Sequence, residues 1–225
     1  MLEVTKIDGH SQVDTQKELP GGMKENMEHP NLVFSERMRK AVNFSIKTHE
    51  LDRKQKRKVR DVPFVVHPLA VAMILARVRA RENVIIAGTL HDTIEDSDDE
   101  HKVSSDTIAE QFGSEVAEIV NGVTEPRKDL PWEERKRAAL EHISALTRDG
   151  LLVKSADLIT NVSDILDDFA REGDAIFAHF NAPKDKIIAY FRAALKKTRE
   201  QWPENPLAND LLSLEEALSR VPLDV

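Results

Sequence analysis

The segment Val84 to Leu90 is apolar nearly all round and runs straight into His91-Asp92-Thr93-Ile94-Glu95-Asp96. A helix without a polar face belongs inside a protein, so this chain must bring a dense group of ionisable side chains to the edge of its own core. Burying such groups is costly unless positive charge compensates them, and a divalent cation would do so. On a helix, Asp92 and Asp96 are four residues apart and Asp92 and Glu95 three apart, so the carboxylates can share one face. The competing view is a solvated helix end that continues into the acidic run Asp98, Asp99 and Glu100.

Composition narrows the chemistry. The chain of 225 residues has no cysteine, which removes disulfide frameworks, zinc-thiolate sites and cysteine nucleophiles. Any metal must then be held by His, Asp or Glu. With 32 basic and 40 acidic side chains the net charge is -8, which argues against non-specific grip on nucleic acid. No apolar run approaches the roughly 20 residues of a membrane span, and the N-terminus lacks a secretory apolar core. A soluble cytoplasmic protein without membrane or nucleic-acid partners is the expectation. Aromatic residues make up 5%, glycines number 8, and Ala, Leu, Glu, Lys and Arg are plentiful, which favours helices over sheets.

The periodicity agrees. Residues 1 to 33 show no apolar period and break at Pro20-Gly21-Gly22, which predicts a mobile or loosely docked arm. Ser35 then caps a helix with Met38, Ala41, Val42 and Ser45 on one stripe and His49 pointing inward one turn on. A charged connection over 50–62 leads to a helix beginning around His67-Pro68, and Asn83 is a candidate cap for the apolar helix. Ser104 or Ser105 opens a further helix that Gly113 interrupts, and residues 124–132 form a loop. Helices follow over Trp132–Leu146, with a strongly basic face, over Leu151–Phe169, and after Pro183. A last one is expected where Ser213 and Glu216 fit a capping box. No internal repeat is visible, so the simplest account is one all-α domain.

Two further candidate ligands sit at telling places. His67 lies at a helix N-terminus, where its bland role is a cap. Asp157 follows Leu151-Leu152-Val153 in a helix that should be mostly buried, where its bland role is a salt bridge to Lys154. Together His67, His91, Asp92 and Asp157 form a mixed nitrogen and oxygen set. That set suits Mn(II) or another first-row divalent ion better than a closed structural zinc site.

The order His, then His-Asp, then Asp resembles the HD superfamily of metal-dependent phosphohydrolases. Within it, the stretches VPFVVHPLAVAMIL, AGTLHDTIEDS, FGSEVAEIVNGVT, ERKRAALEHI and LLVKSADLITNV are similar, in order, to the hydrolase domain of the RelA/SpoT family and its stand-alone metazoan relatives. The resemblance runs from about residue 37 to 165 and is expected to extend to about 197. It implies an HD-type helical domain over 34–200, preceded by the arm and followed by a helical tail over 201–225 packed on the domain.

The function it implies is Mn(II)-dependent hydrolysis of the 3′-pyrophosphate of the guanosine alarmones ppGpp and pppGpp, small-molecule nucleotides. By this similarity His67, His91, Asp92 and Asp157 hold the metal, Glu95 and Asp96 orient and deprotonate the attacking water, and Asn161 contacts the nucleotide. The family's synthetase domain would lie beyond residue 200, where about 25 residues remain, so hydrolysis alone is expected. Phosphate contacts are expected from Arg57, Lys58 and Arg137, with Arg53-Lys54 as the alternative to Arg57-Lys58, because the family pair is displaced here by a short insertion. Phe64 stands where the family has tyrosine, and Leu158, Val162 and Ser163 also depart from its pattern. Two alternatives therefore stand beside alarmone hydrolysis: the same chemistry on the NADPH 2′-phosphate or a nucleoside monophosphate, and a nucleotide-binding sensor with little turnover.

Overall fold

The computed structural model describes residues 34–125 and 130–223. The expected arm over 1–33 lies outside the described residues, as does the middle of the 124–132 loop. Among the described residues the architecture is all-helical, with a single isolated β-bridge between Lys56 and Pro63.

Ser35 caps α1 (Glu36–Ile46), its Oγ accepting from Met38 N at 3.0 Å. The hydrogen bonding then widens into a π-helical turn, Lys47–Asp52, where the sequence alone suggested an irregular connection. This turn keeps His49 inside. Next come α2 (Val66–Arg77) and α3 (Glu82–Leu90), packed so closely that a Cβ on Gly88 would run into the Leu75 side chain. Arg81, not Asn83, occupies the N-cap of α3. Asn83 sits in the first turn and spends its amide on Arg37 and Glu115.

The short α4 (Thr93–Asp96) leaves α3 almost directly. Ser104 opens α5 (Ser105–Phe112) through a capping box with Thr107, and Gly113, at φ 96, turns the chain into α6 (Ser114–Val123). The expected Trp132–Leu146 helix is α7 (Trp132–His142) followed by a 3-10 turn, Ile143–Ala145. Thr147 caps α8 (Arg148–Glu172), which begins earlier than apolar spacing suggested because its first turn is polar. Finally α9 (Lys184–Gln201) leads to α10 (Ala208–Ser219). The expected capping box is overturned here: Ser213 lies mid-helix and donates to Asn209 O at 2.9 Å. Asn205 opens the segment instead, its Oδ1 accepting from Leu207 N at 2.9 Å.

The 25-residue α8 is the spine. Its Leu152, Val153 and Ala156 pack with α1, α2, α3, α5 and α6, whereas Leu158, Val162 and Ile165 pack with α9 and α10. Asp157 falls where these two apolar clusters meet. Leu207, Leu211 and Leu218 bury α10 against α8 and α9, and Asn205 Nδ2 donates to Ser155 Oγ on α8 at 2.8 Å. Among the described residues no helix is long and apolar enough to cross a membrane.

Candidate active site

Three helices converge on one point. The first turn of α2 delivers His67, the end of α3 delivers His91 and then Asp92, and the middle of α8 delivers Asp157. His67 Nε2 and His91 Nε2 lie 3.2 Å apart. Asp92 Oδ2 is 3.4 Å from the first and 3.2 Å from the second, and Asp157 Oδ1 is 3.3 Å and 3.8 Å from them. All four residues proposed from sequence as ligands are therefore brought together.

The surroundings dictate what these atoms present. His91 Nδ1 is 2.9 Å from Gly88 O, which can only accept, so the proton sits on Nδ1 and Nε2 offers a lone pair. His67 Nδ1 lies 3.0 Å from Thr160 Oγ1, and that hydroxyl donates to Asp157 O at 2.9 Å, so His67 Nδ1 must likewise be the donor. Two imidazole Nε2 atoms and two carboxylate oxygens thus face one another, a set that positive charge between its members stabilises, and His67, His91 and Asp157 each offer an atom within 4.8 Å of the other two. Donors about 2.1 Å from a first-row ion are separated by about 3.0–3.4 Å, which is the scale found here. His67, His91 and Asp157 are all buried.

Charge tells the same story. Burial opposes ionising Asp92, yet His91 and His67 outweigh it and hold the carboxyl well below its ordinary range. Burial likewise opposes ionising Asp157, yet Lys154, with Nζ 2.8 Å from Oδ2, and the imidazoles drive it down. His91 responds in turn: burial disfavours its charge, but Asp92 and Asp157 push its pKa well above the usual imidazole value. The cluster attracts positive charge. Asp157 makes the salt bridge to Lys154 and also belongs to the cluster.

The cluster opens into a cavity of about 250 Å³ whose wall includes Glu95 and Asp96 from α4. Beyond Asp96 the acidic run is surface: Asp99 and Glu100 are exposed, and Asp98 accepts from His101. Asn161, one turn after Asp157, donates to Asp157 Oδ1 at 2.6 Å and accepts from Arg57 Nη2 at 2.9 Å. It joins the His-Asp cluster to the basic wall.

Of the two basic pairs, Arg57 and Lys58 line the cavity. Arg53 instead donates to Asp96 O at 2.5 Å, and Lys54 is exposed at a φ of 51. Arg137 is exposed on α7, while its neighbour Lys136 lines the cavity, 5.0 Å above the Tyr190 ring. From the basic set Arg135, Lys136 and Arg137 the sequence pointed to Arg137, although Lys136, Ala139, Ile143 and Leu146 all face the cavity at helical spacing and that stripe was the available signal. Sequence reasoning passed over Thr160, Tyr190 and Gln55. A second cavity of about 270 Å³ adjoins the first, sharing Arg57, Lys58, Phe64, Lys136 and Tyr190, and gains Trp132 and Phe180. Away from the cluster the combined space is lined by basic and aromatic side chains, together with Asp164 and Asp168, which pair with Arg57 and Arg60.

Comparison with known proteins places this geometry in a lineage. Residues 41–188 match the HD domain family. The guanosine-3′,5′-bis(diphosphate) 3′-pyrophosphohydrolase MESH1 of Danio rerio is 38% identical over 127 residues, covering 55% of this chain and 66% of that protein. The Homo sapiens MESH1 is 34% identical over 128 residues, covering 56% and 67%. A GTP pyrophosphokinase of Myxococcus xanthus is 38% identical over 149 residues, which are 63% of this chain but 18% of that protein. Among solved structures, a metazoan SpoT orthologue described as hydrolysing ppGpp superposes with a TM-score of 0.65 at 25% identity, covering 81% of this chain and 95% of that one. A Listeria monocytogenes protein gives 0.59 at 28% identity, covering 69% and 97%. The family match spans well over half of the sequence and contains both histidines and both aspartates of the cluster, and this chain belongs to the HD domain family.

Proposed function

We propose that the chain is a metal-dependent hydrolase that removes pyrophosphate from the 3′ position of guanosine alarmones, with His67, His91, Asp92 and Asp157 holding Mn(II). The observation that carries this is the pairing of a four-donor cluster with two carboxylates, Glu95 and Asp96, on the wall of the same basic, aromatic cavity. The names of the MESH1 relatives and of the SpoT orthologue supply the substrate class. When bound, the divalent ion supplies Lewis acidity at the phosphoryl group and makes water a better nucleophile near neutral pH.

The chain's own groups do the rest. Arg57, Lys58 and Lys136 present positive charge to the phosphates, where charge must be held in the transition state. Asn161 couples Arg57 to Asp157, so the phosphate arm and the ligand cluster are set in one frame. Glu95 and Asp96 orient the attacking water and take its proton. The adjoining aromatic space accommodates the nucleoside. In the overall reaction water adds to phosphorus, the bond to the ribose 3′ oxygen breaks, and GDP or GTP leaves with pyrophosphate.

The test is to incubate Mn(II)-loaded protein with ppGpp and, in parallel, with NADPH, and to separate the products. GDP plus pyrophosphate is the expected result. Orthophosphate from NADPH at a much higher kcat/KM would move the assignment to the 2′-phosphate.

A further inference from the structure

His49 is fully buried, carries chemistry, and has no part in the reaction outlined above. The π-helical turn over Lys47–Asp52 holds it inside, its ring 4.9 Å from that of Phe64. Two backbone bonds then lock the following segment in place. Gln55 N donates to His49 O at 2.8 Å, and Phe64 N donates to Gln55 O at 2.8 Å.

Gln55 is thereby set between two side chains. Its Nε2 lies 3.0 Å from Asp96 Oδ2, and its Oε1 lies 3.3 Å from His49 Nδ1. An ionised carboxylate only accepts, so the amide must turn its NH2 toward Asp96 and its carbonyl toward His49. His49 must then carry its proton on Nδ1. Burial, against the pull of Asp92 and Asp96, keeps this ring neutral, and no described residue donates to its Nε2. Every donor along the row therefore points toward Asp96. Arg53, donating to Asp96 O, ties the same end of α4 to the same segment.

We propose that His49 and Gln55 are positioning residues that act as a relay, fixing the carboxylate plane of Asp96 for the attack of water. The proposal rests on Asp96 being a water-activating group. Gln55 Nε2 and Arg53 both bond Asp96, one at the carboxylate and one at the backbone, and small misplacements of a catalytic group are expensive in rate.

The test compares wild type with Gln55→Leu, His49→Phe and His49→Asn in the Mn(II)-loaded protein. Release of pyrophosphate from ppGpp, bound metal and melting temperature are measured for each. Gln55→Leu and His49→Phe are expected to lower kcat by about 10- to 100-fold with KM and bound metal unchanged. His49→Asn places an amide donor where Nδ1 stood and is expected to recover most of the rate lost in His49→Phe. A purely structural role predicts the opposite order, since Phe fills an apolar site better than Asn. Wild-type kcat in Gln55→Leu, or His49→Phe as active as His49→Asn, overturns the relay. Ring nitrogen spectra of histidine-labelled protein carrying Zn(II) give a readout independent of substrate: the Nδ1–H tautomer at His49 supports the relay and the Nε2–H tautomer overturns it. If wild type itself releases no pyrophosphate from ppGpp, the proposed function fails, and the tautomer alone then decides the relay.

Discussion

Lys154 Nζ sits 2.8 Å from Asp157 Oδ2, one helical turn away on the buried face of α8, while Asp157 Oδ1 faces the two histidines. One carboxylate thus divides its oxygens between a fixed ammonium and the proposed metal. Asp157 also raises the Lys154 pKa above its ordinary value against the effect of burial, so the ammonium is charged throughout the physiological range.

Replacing Lys154 with Met removes the fixed partner and leaves Asp157 dependent on the bound ion. The expected outcome is a metal-free protein destabilised by about 3 kcal/mol, in the range for breaking a buried ion pair. Added metal should recover more stability than it contributes in wild type. Chemical denaturation with and without Mn(II) measures both, and equal metal-linked stabilisation in the two proteins would count against the shared role of Asp157.

Asp157→Ala tests the other side of the same pair. It should abolish metal binding and also destabilise the fold, because the Lys154 ammonium and the facing imidazoles lose their carboxylate partner together. Metal analysis beside a melting curve checks the two halves, and unchanged metal content would remove Asp157 from the ligand set.

Metal affinity should fall with acid. His91 Nε2 must be free of its proton to bind an ion, and Asp92 and Asp157 hold the metal-free pKa of His91 well above the ordinary 6.5. A proton and the metal therefore compete across neutral pH. In the metal-free state, the stability contributed by charged His91 is fully present below pH 6.5 and is lost as pH rises through its raised value. That of Asp92 and Asp157 has the opposite sign, present above the ordinary carboxylate value of 3.8 and lost as pH falls toward their depressed values. Calorimetric titration with Mn(II) in buffers of different ionisation enthalpy should find a proton released on binding at neutral pH. No proton release would show that His91 is not a ligand.

The His-Asp cluster was legible because His91 and Asp92 follow an apolar run at the end of α3 and Asp157 follows another inside α8. Helix phase was legible for the same reason. What escaped the sequence is what depends on angles around a helix or on hydrogen bonds between distant segments. Arg137 and Lys136 are adjacent in sequence but about 100° apart on α7, and the choice between them needs the orientation of that helix. The π-helical turn has no apolar period to betray it, and the Ser213–Glu216 pattern satisfied a capping rule in the interior of a helix. Gln55 draws its importance from Asp96, 41 residues away.

That pair on α7 gives a direct test. Lys136→Ala removes a cavity-lining cation and the interaction with the Tyr190 ring, so kcat/KM for the nucleotide should fall by about 10-fold or more, the scale of one charge-assisted hydrogen bond. Arg137→Ala, on the exposed side of α7, should stay within about 2-fold of wild type. Steady-state kinetics of both variants decide the matter, and the reverse order would return Arg137 to the substrate site.

Gly88 connects the packing of the core to the ligand cluster. A methyl group there meets the fully buried Leu75 and presses on Val71, so α2 and α3 must separate or Leu75 must leave its rotamer. Overpacking of this kind costs about 1–3 kcal/mol. The same displacement widens the 3.2 Å between His67 Nε2, carried by α2, and His91 Nε2, carried by α3, and it disturbs Gly88 O, which fixes the His91 tautomer. Gly88→Ala is therefore expected to weaken metal binding as well as lower the melting temperature. Gly88→Ala with Leu75→Ala makes room for the added methyl and should recover metal affinity even though the fold, with a smaller core residue, stays less stable than wild type. If the double variant regained no affinity, the spacing of α2 and α3 would not be what sets the ligand geometry.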